Sequence, residues 1–233
     1  RHVARPVVEG EIDEVLARTS RHELVARRLD LDSGAVTVEP ATRGESFEFT
    51  GHQLRGLYGP RWRLLVIGAG QLSRAVAPMA LALDFEVICC DPREEYHLTW
   101  DVPGTTFSRS MPDDVVQELH LDPHCAVIAV THDPKLDDMA LLEALKSPAF
   151  YVGALGSRAN NAKRRERLAM FDLSADEIGR LHGPIGLHIG SRTPAEIAVS
   201  ILAEIVSVKN GVELTQKKAA PSGQPAAARV CPV

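Results

Sequence analysis

From residue 62 onward, short apolar runs alternate with segments in which apolar positions recur every three or four residues. The runs 63–67, 85–90, 126–130 and 149–152 are apolar almost throughout. Strands buried on both faces of a parallel sheet have this pattern. A weaker run at 105–107 predicts one more short strand. The intervening periodic segments predict helices over 71–83, from 111, and over 135–146, 160–169, 174–181 and 194–208. Local signals set several of their ends. Asp133 caps the helix that Pro134 opens. Ser174-Ala175-Asp176-Glu177 and Thr193-Pro194-Ala195-Glu196 have the capping-box pattern, and Asn210-Gly211 stops the last helix. Pro78 falls inside the first helix, removes one of its hydrogen bonds and predicts a kink. Strands and helices in alternation predict an α/β fold: a Rossmann-like parallel sheet with helices on both faces.

The first sixty residues follow a different pattern. A short amphipathic helix over 11–18 precedes a hairpin, 24–31 and 35–38, turned at Asp32-Ser33-Gly34, and a further strand is expected at 47–49. Leu54-Arg55-Gly56-Leu57-Tyr58-Gly59-Pro60 has the glycine and proline content of a connector. The organisation expected is a small α+β N-terminal segment with its linker (1–58), a Rossmann-like domain (59–212) and a disordered tail rich in Ala, Pro, Gly and Ser (213–233). The N-terminal piece is too small for a good core of its own.

The first βα turn carries the most specific chemistry. The strand Leu64-Leu65-Val66-Ile67 runs into Gly68-Ala69-Gly70-Gln71-Leu72-Ser73, a second apolar run follows, and Asp91 stands 21 residues after Gly70. This is the layout of a dinucleotide-binding βαβ unit. Gly68 permits the tight turn. Gly70 lets backbone N–H groups approach a phosphate, because a side chain there stands in the way. The helix N-terminus faces the anion with unpaired donors and a positive dipole end. Ser73 replaces the third glycine and is small enough for close helix–strand packing. Asp91 is placed to accept from a ribose 2′-OH.

Composition narrows the partners. The chain has 233 residues, 45% hydrophobic and 24% charged, as in ordinary globular proteins. Its net charge of −5 supplies no field for nucleic-acid binding. The basic run Lys163-Arg164-Arg165-Glu166-Arg167 spreads around a helix and reads as a solvated face. No apolar run approaches the ~18 residues of a membrane span, and no signal peptide is visible. Four cysteines without regular spacing are those of a reduced, cytoplasmic protein. Cys89 and Cys90 alternate across a strand as small buried hydrophobes. No metal-ligand spacing is present, and His182 and His188 flank a loop without forming one.

In an open parallel sheet, ligands bind beyond the carboxyl ends of the strands. Polar residues gather in four such loops: Asp91-Pro92-Arg93, Thr131-His132-Asp133, Gly156-Ser157-Arg158 and Gly190-Ser191-Arg192. Two are glycine-serine-arginine triplets. In each, glycine allows close approach, serine donates or caps, and arginine grips a phosphate or carboxylate or pairs with a surface acid. His132 at a strand end is either a base near neutral pH or a hydrogen-bonding histidine. Asp133 reads as a helix cap rather than a catalytic carboxylate, the other role open to it. No nucleophile elbow, Walker loop or zincin motif occurs, and no catalytic constellation is complete.

Six separated segments, in order, resemble the XdhC/CoxI family of xanthine dehydrogenase accessory proteins: Gly59-Pro60-Arg61-Trp62, Ile67 to Ser73, Cys90 to Glu94, Thr131 to Asp138, Tyr151 to Arg158 and Ile189 to Ala198. The resemblance covers about residues 55–212. It implies a C-terminal Rossmann domain behind a smaller N-terminal domain, of which residues 1–50 look like the tail. It implies binding of the molybdenum cofactor (molybdopterin), help with its sulfuration, and delivery to an apo molybdenum hydroxylase of the xanthine dehydrogenase type. A cysteine desulfurase partner and a homodimer fit this picture. The family's first domain carries a cysteine, whereas no cysteine precedes Cys89 here. The site residues expected are Gly68, Ala69, Gly70, Gln71, Leu72, Ser73, Asp91, Arg93, Thr131, His132, Gly156, Ser157, Arg158, Gly190, Ser191 and Arg192, none of them catalytic and none a metal ligand. Two alternatives stay open, an NAD-dependent oxidoreductase and a nucleotide-sensing module. A dehydrogenase needs a substrate domain, and no insertion long enough to build one follows the first βαβ unit.

Overall fold

The computed structural model describes residues 9–21, 23–42, 45 and 47–212. The tail expected over 213–233 lies outside them. Helix α1 (Glu9–Thr19) precedes β1 (Val25–Asp30), β2 (Val36–Pro40), β3 (Glu48–Phe49) and β4 (Gln53–Tyr58). These four strands form an antiparallel sheet in the order β2-β1-β4-β3. The hairpin turn is held by Asp30, whose carboxylate accepts from the Ser33 N–H and hydroxyl. The stretch with the composition of a connector is mostly strand. Residues 53–58 pair along the whole of β1, from Gln53 opposite Asp30 to Tyr58 opposite Val25. Only Gly59, Pro60 and Arg61 link the two sheets.

The larger unit contains β5 (Trp62–Ile67), α2 (Gln71–Ala82), β6 (Phe85–Cys90), α3 (Glu94–Thr99), β7 (Thr106–Ser108), α4 (Pro112–Glu118), β8 (Cys125–Ala129), α5 (Pro134–Ala144), β9 (Tyr151–Ala154), α6 (Arg158–Leu168), α7 (Ala175–Gly179), β10 (Leu181–His182) and α8 (Pro194–Lys209). Its sheet is parallel at every pairing, in the order β10-β9-β8-β5-β6-β7. Counted from β5 as the first strand, that is the 3-2-1-4-5-6 order of a dinucleotide-binding sheet. The order of connection reverses between β5 and β8, so the crevice that sheets of this order offer a ligand is expected where those two strands end.

Both faces of the sheet are covered, which is why its strands lack a polar side. Leu64, Val66, Val87 and Ile128 face α2 and α8, packing on Val76, Ala77, Ile201 and Ile205. Leu65, Ile67, Val127 and Val152 face the other way, against Val115, Leu141 and Leu145. Each such side chain contributes about 1.5–3 kcal/mol by leaving water. Helix α2 continues through the exposed Pro78. The short α3 and β10 have no counterpart in the hydrophobic pattern. At six and two residues they are too short for a period to show.

Candidate functional site

All the expected site residues lie on one edge of the parallel sheet, in the loops that leave its carboxyl ends. Gly68, Ala69 and Gly70 turn from β5 into α2, whose first residues are Gln71, Leu72 and Ser73. Asp91 and Arg93 follow β6. Thr131 and His132 follow β8. Gly156, Ser157 and Arg158 join β9 to α6, and Gly190, Ser191 and Arg192 precede α8.

The two glycines of the first turn differ in kind. Gly68 has φ +107°, and a Cβ on it would lie 2.9 Å from Thr131 Cα, so it lets the ends of β5 and β8 meet. Gly70 has φ −78°, which any residue adopts. A Cβ on Gly70 would meet nothing within 4 Å. The fold therefore does not need glycine there, and the space above it is free. Helix α2 also has no side-chain cap and no acid in its first turn. The other long helices around this sheet are capped: α5 by Asp133, α6 by Ser157 and α8 by Thr193. Open backbone donors at α2 thus face the crevice. Ser73 is fully buried, and its hydroxyl donates to the Gly68 carbonyl at 2.5 Å.

Asp91 is engaged inside the fold. Its carboxylate accepts from the Ala69 N–H at 2.9 Å and from the Arg93 guanidinium at 2.7 and 2.8 Å. It has no exposed surface, while Arg93 lies over it and against the Tyr96 ring, 4.1 Å from the centroid. The acid expected to meet a ribose instead braces the glycine turn from the neighbouring strand.

A second buried network stands beyond β8. Asp137 accepts from the Thr131 N–H and hydroxyl at 3.1 and 2.7 Å, and from Arg164 at 3.0 Å. Burial pushes the Asp137 carboxyl up, against the pull of Thr131 and Arg164. Arg164 also donates to the Leu155 carbonyl, Asn161 and Asp138. Arg167 pairs with Asp138 at 2.7 Å, and Arg165 donates to the carbonyls of Leu181 and Gly183. The basic run of α6 is therefore only in part a solvated face: Arg164, Arg165 and Arg167 are held by partners, while Lys163 and Glu166 are exposed. Arg164 is 5% exposed and ties the loops after β8 and β9 together. Asp137, Asn161 and Arg164 are neighbours of the candidate site that sequence reasoning misses. The signal available was the pair Asp137-Asp138 on one helix facing a basic run on the next.

Outside this network lie exposed groups. His132 is held at φ +66°, uncommon for a residue other than glycine, with its ring at the surface. The side chains of Arg158, Lys163 and Arg192 are exposed and form no ion pair with any described residue. Ser157 and Ser191 both take local roles: Ser157 accepts from the Asn160 N–H and Ser191 donates to the Glu196 carbonyl. Two clefts open here on either side of Leu155, of 340 and 220 Å³. The loop between β10 and α8 is held by Glu204, which accepts from Tyr151 (2.5 Å) and the Gly186 N–H (2.7 Å) and lies 3.1 Å from His182. Burial raises the Glu204 carboxyl, but the hydrogen bonds from His182, Tyr151 and Gly186 outweigh it and hold it below the usual range.

The three buried cysteines are not available thiols. Burial pushes Cys89 up, Cys90 to about 12 and Cys125 to about 11. Among the described residues, no helix is long and apolar enough to cross a membrane, and no cluster of three or more His, Cys, Asp or Glu is set to hold a metal ion.

The strand order and the covered faces define a doubly wound, Rossmann-type domain. The XdhC Rossmann domain model matches residues 64–205, and the chain belongs to that family. It is 33% identical over 227 residues to the uncharacterized protein YqeB of Escherichia coli K12, covering 95% of this chain and 40% of that one. It is 30% identical to a probable xanthine dehydrogenase component of Bacillus subtilis, over 66% of this chain and 44% of that one. It is 24% identical to the molybdenum cofactor insertion chaperone PaoD of E. coli, over 84% and 54%. The chain spans about half the length of these curated relatives. A crystal structure of a xanthine dehydrogenase from Bacillus halodurans has the same fold, with a TM-score of 0.65 at 20% identity, over 91% of this chain and 66% of that one.

Proposed function

We propose that this chain serves a molybdenum hydroxylase of the xanthine dehydrogenase type as an accessory factor. In this reading it holds the molybdenum cofactor on the carboxyl edge of its parallel sheet, supports the cofactor's sulfuration, and passes it to the apo-enzyme. The observation that carries the reading is the pairing of a glycine the fold does not need, Gly70, with an uncapped helix α2. Together they leave the backbone donors of α2 open to an anionic group, in a space that a side chain at Gly70 would enter. The cationic side chains Arg158, Lys163 and Arg192 stand along the same edge and suit a ligand with more than one anionic group. The remaining expected residues frame this space: Gly68, Ala69 and Ser73 shape the turn, Gln71 and Leu72 open α2, Asp91 and Arg93 brace it, and Thr131, His132, Gly156, Ser157, Gly190 and Ser191 form the facing loops. When bound, the cofactor supplies the molybdenum centre that the target enzyme uses.

The buried, protonated thiols of Cys89, Cys90 and Cys125 are unsuited to carrying sulfur. A cysteine desulfurase partner would supply it while this chain holds the acceptor. The engagement of Asp91 by Ala69 and Arg93 weighs against a nicotinamide dinucleotide as the ligand. The role that gives PaoD its name, cofactor insertion, agrees with the proposal. The test is a side-by-side titration with molybdenum cofactor, NADH and AMP. Selective binding of the cofactor, weakened in Gly70→Val, supports the proposal. Binding of NADH alone overturns it and brings the oxidoreductase or sensor readings forward.

A further inference from the structure

We infer that the two clefts flanking Leu155 form one bipartite site for a phosphate monoester carried on a planar ring. The ring would lie in the larger cleft and the phosphate in the smaller, beside Lys163. The inference deepens the proposed cofactor role and rests on it for the choice of a pterin as the ring.

The clefts share a wall at Leu155, and their characters differ. The 340 Å³ cleft is lined by the apolar Pro184, Ile185, Leu187, Ile189 and Ile197 together with the polar His188, Ser191, Ser200 and Arg158. Aliphatic side chains on several sides and few charges suit the faces of a flat heterocycle. The 220 Å³ cleft is bounded by His132, Gly156, Asn160, Lys163 and the Asp137–Arg164 pair. Its floor is rigid and polar. Arg164 and Asp137 have side chains 6% and 2% exposed and are joined at 3.0 Å.

Charge balance within the smaller cleft singles out one residue. Arg164 and Arg167 are matched by Asp137 and Asp138. Lys163, on the same helix and lining the same cleft, has no such partner among the described residues and is left as the excess positive charge. A lone ammonium group above a neutral, hydrogen-bonded floor is a site for a small anion. Gly156 follows Leu155 and lines the smaller cleft; its φ of +137° favours glycine, and a Cβ there would crowd the buried Asn161, 3.3 Å from its Nδ2.

The experiment uses 6-hydroxymethylpterin, its phosphate ester and inorganic phosphate, titrated separately into the whole chain by calorimetry or ligand-observed NMR. The wild type is expected to prefer the ester over the free pterin by about tenfold or more, the scale of one charge-assisted contact. Lys163→Glu should abolish that preference without changing affinity for the free pterin. Ile189→Ser, at a residue 55% exposed and so unlike a core substitution, should weaken both pterins alike. Equal binding of ester and free pterin by the wild type, or a preference that survives Lys163→Glu, overturns the inference. So does inorganic phosphate binding as tightly as the ester, since the ring cleft then contributes nothing. Molybdenum cofactor is titrated in parallel. Ester binding without cofactor binding sinks the proposed function and leaves the bipartite site standing. Cofactor binding that is indifferent to Lys163→Glu does the reverse.

Discussion

Two buried aspartate–arginine pairs flank the crevice, and they do opposite things to the surface above them. On the β6 side, Asp91 and Arg93 are two residues apart. The arginine lies on the outside and closes over its partner, so the acid of this pair is not free toward the crevice. On the β8 side, Asp137 and Arg164 are 27 residues apart, on different helices, and both side chains lie inside. Their pairing neutralises the interior and leaves Lys163, Arg158 and His132 outside it. A local pair consumes the acid that the dinucleotide motif offers to a ligand. A long-range pair builds a floor and frees the cations around it. The exposed cations of this Rossmann domain at the carboxyl edge therefore stand beside β8, β9 and β10, with the glycine turn at the boundary.

Of the two pairs, breaking the inner one should have the larger effect. Arg164→Ala leaves Asp137 buried without its cation and should cost about 3–5 kcal/mol, read as a fall in Tm and in denaturant midpoint. The pH dependence follows from the sign. Burial already raises the Asp137 carboxyl in the intact protein. A raised acid favours the protonated native state, so its cost is present above the folded pKa and is relieved as pH falls through it. Removing Arg164 takes away one of the groups that lower this carboxyl. The variant's deficit should thus shrink on acidification. A deficit that does not change with pH would mean that Asp137 is not the source of the loss.

The outer pair should matter less and in a different way. Asp91→Asn weakens the brace on Ala69 and the grip on Arg93, and is expected to cost about 1–3 kcal/mol of stability. Because Asp91 has no exposed surface, affinity for NADH or cofactor should change far less than stability does. A variant that folds as well as the wild type but loses ligand would restore Asp91 to the ligand surface and erase the contrast between the two sides.

The difference between the pairs also explains what could be seen in the sequence. The α/β class, the glycine turn and the capping residues Asp133, Ser174 and Thr193 depend on neighbours within a few positions, and the structure has them. The connector at 54–60 misled because Gly56 and Gly59-Pro60 look like breaks, while the pairing that makes 53–58 a strand comes from β1, more than twenty residues upstream. The run 163–167 misled for the same reason. Helical spacing alone spreads its charges around a cylinder, but Asp137 and Asp138 on α5 draw Arg164 and Arg167 to one side. Asp91 was recognisable as a motif acid; the engagement of its oxygens by Arg93 and Ala69 was visible only in three dimensions.

At the boundary between the two sides, Gly70→Val should leave stability within about 0.5 kcal/mol, because its φ is ordinary and no atom stands where the side chain would go. Cofactor affinity should fall by about tenfold or more, since the branched side chain fills the approach to the open N–H groups of α2. The matching substitution Gly68→Val should instead prevent folding, given φ +107° and a 2.9 Å approach to Thr131 Cα. If the two variants behaved alike, the first turn would be architecture at both positions.

The smallest expected effect is at the far end of the free-cation side. Arg192 stands ahead of α8, where the Glu196 carboxylate of the capping box accepts from its backbone N–H at 2.6 Å. That bond belongs to the main chain, so it survives in Arg192→Ala, and the cap and the loop should hold. What is removed is one exposed guanidinium without an ion-pair partner among the described residues. An exposed charge acting on a ligand in high dielectric contributes about 0.2–1 kcal/mol, so affinity for the anionic cofactor should drop by about two- to fivefold, with Tm unchanged. The loss should diminish as salt is raised, because screening removes the same interaction in the wild type. An affinity untouched at low salt would take Arg192 out of the ligand surface, and the cationic side of the crevice would then end at Arg158 and Lys163.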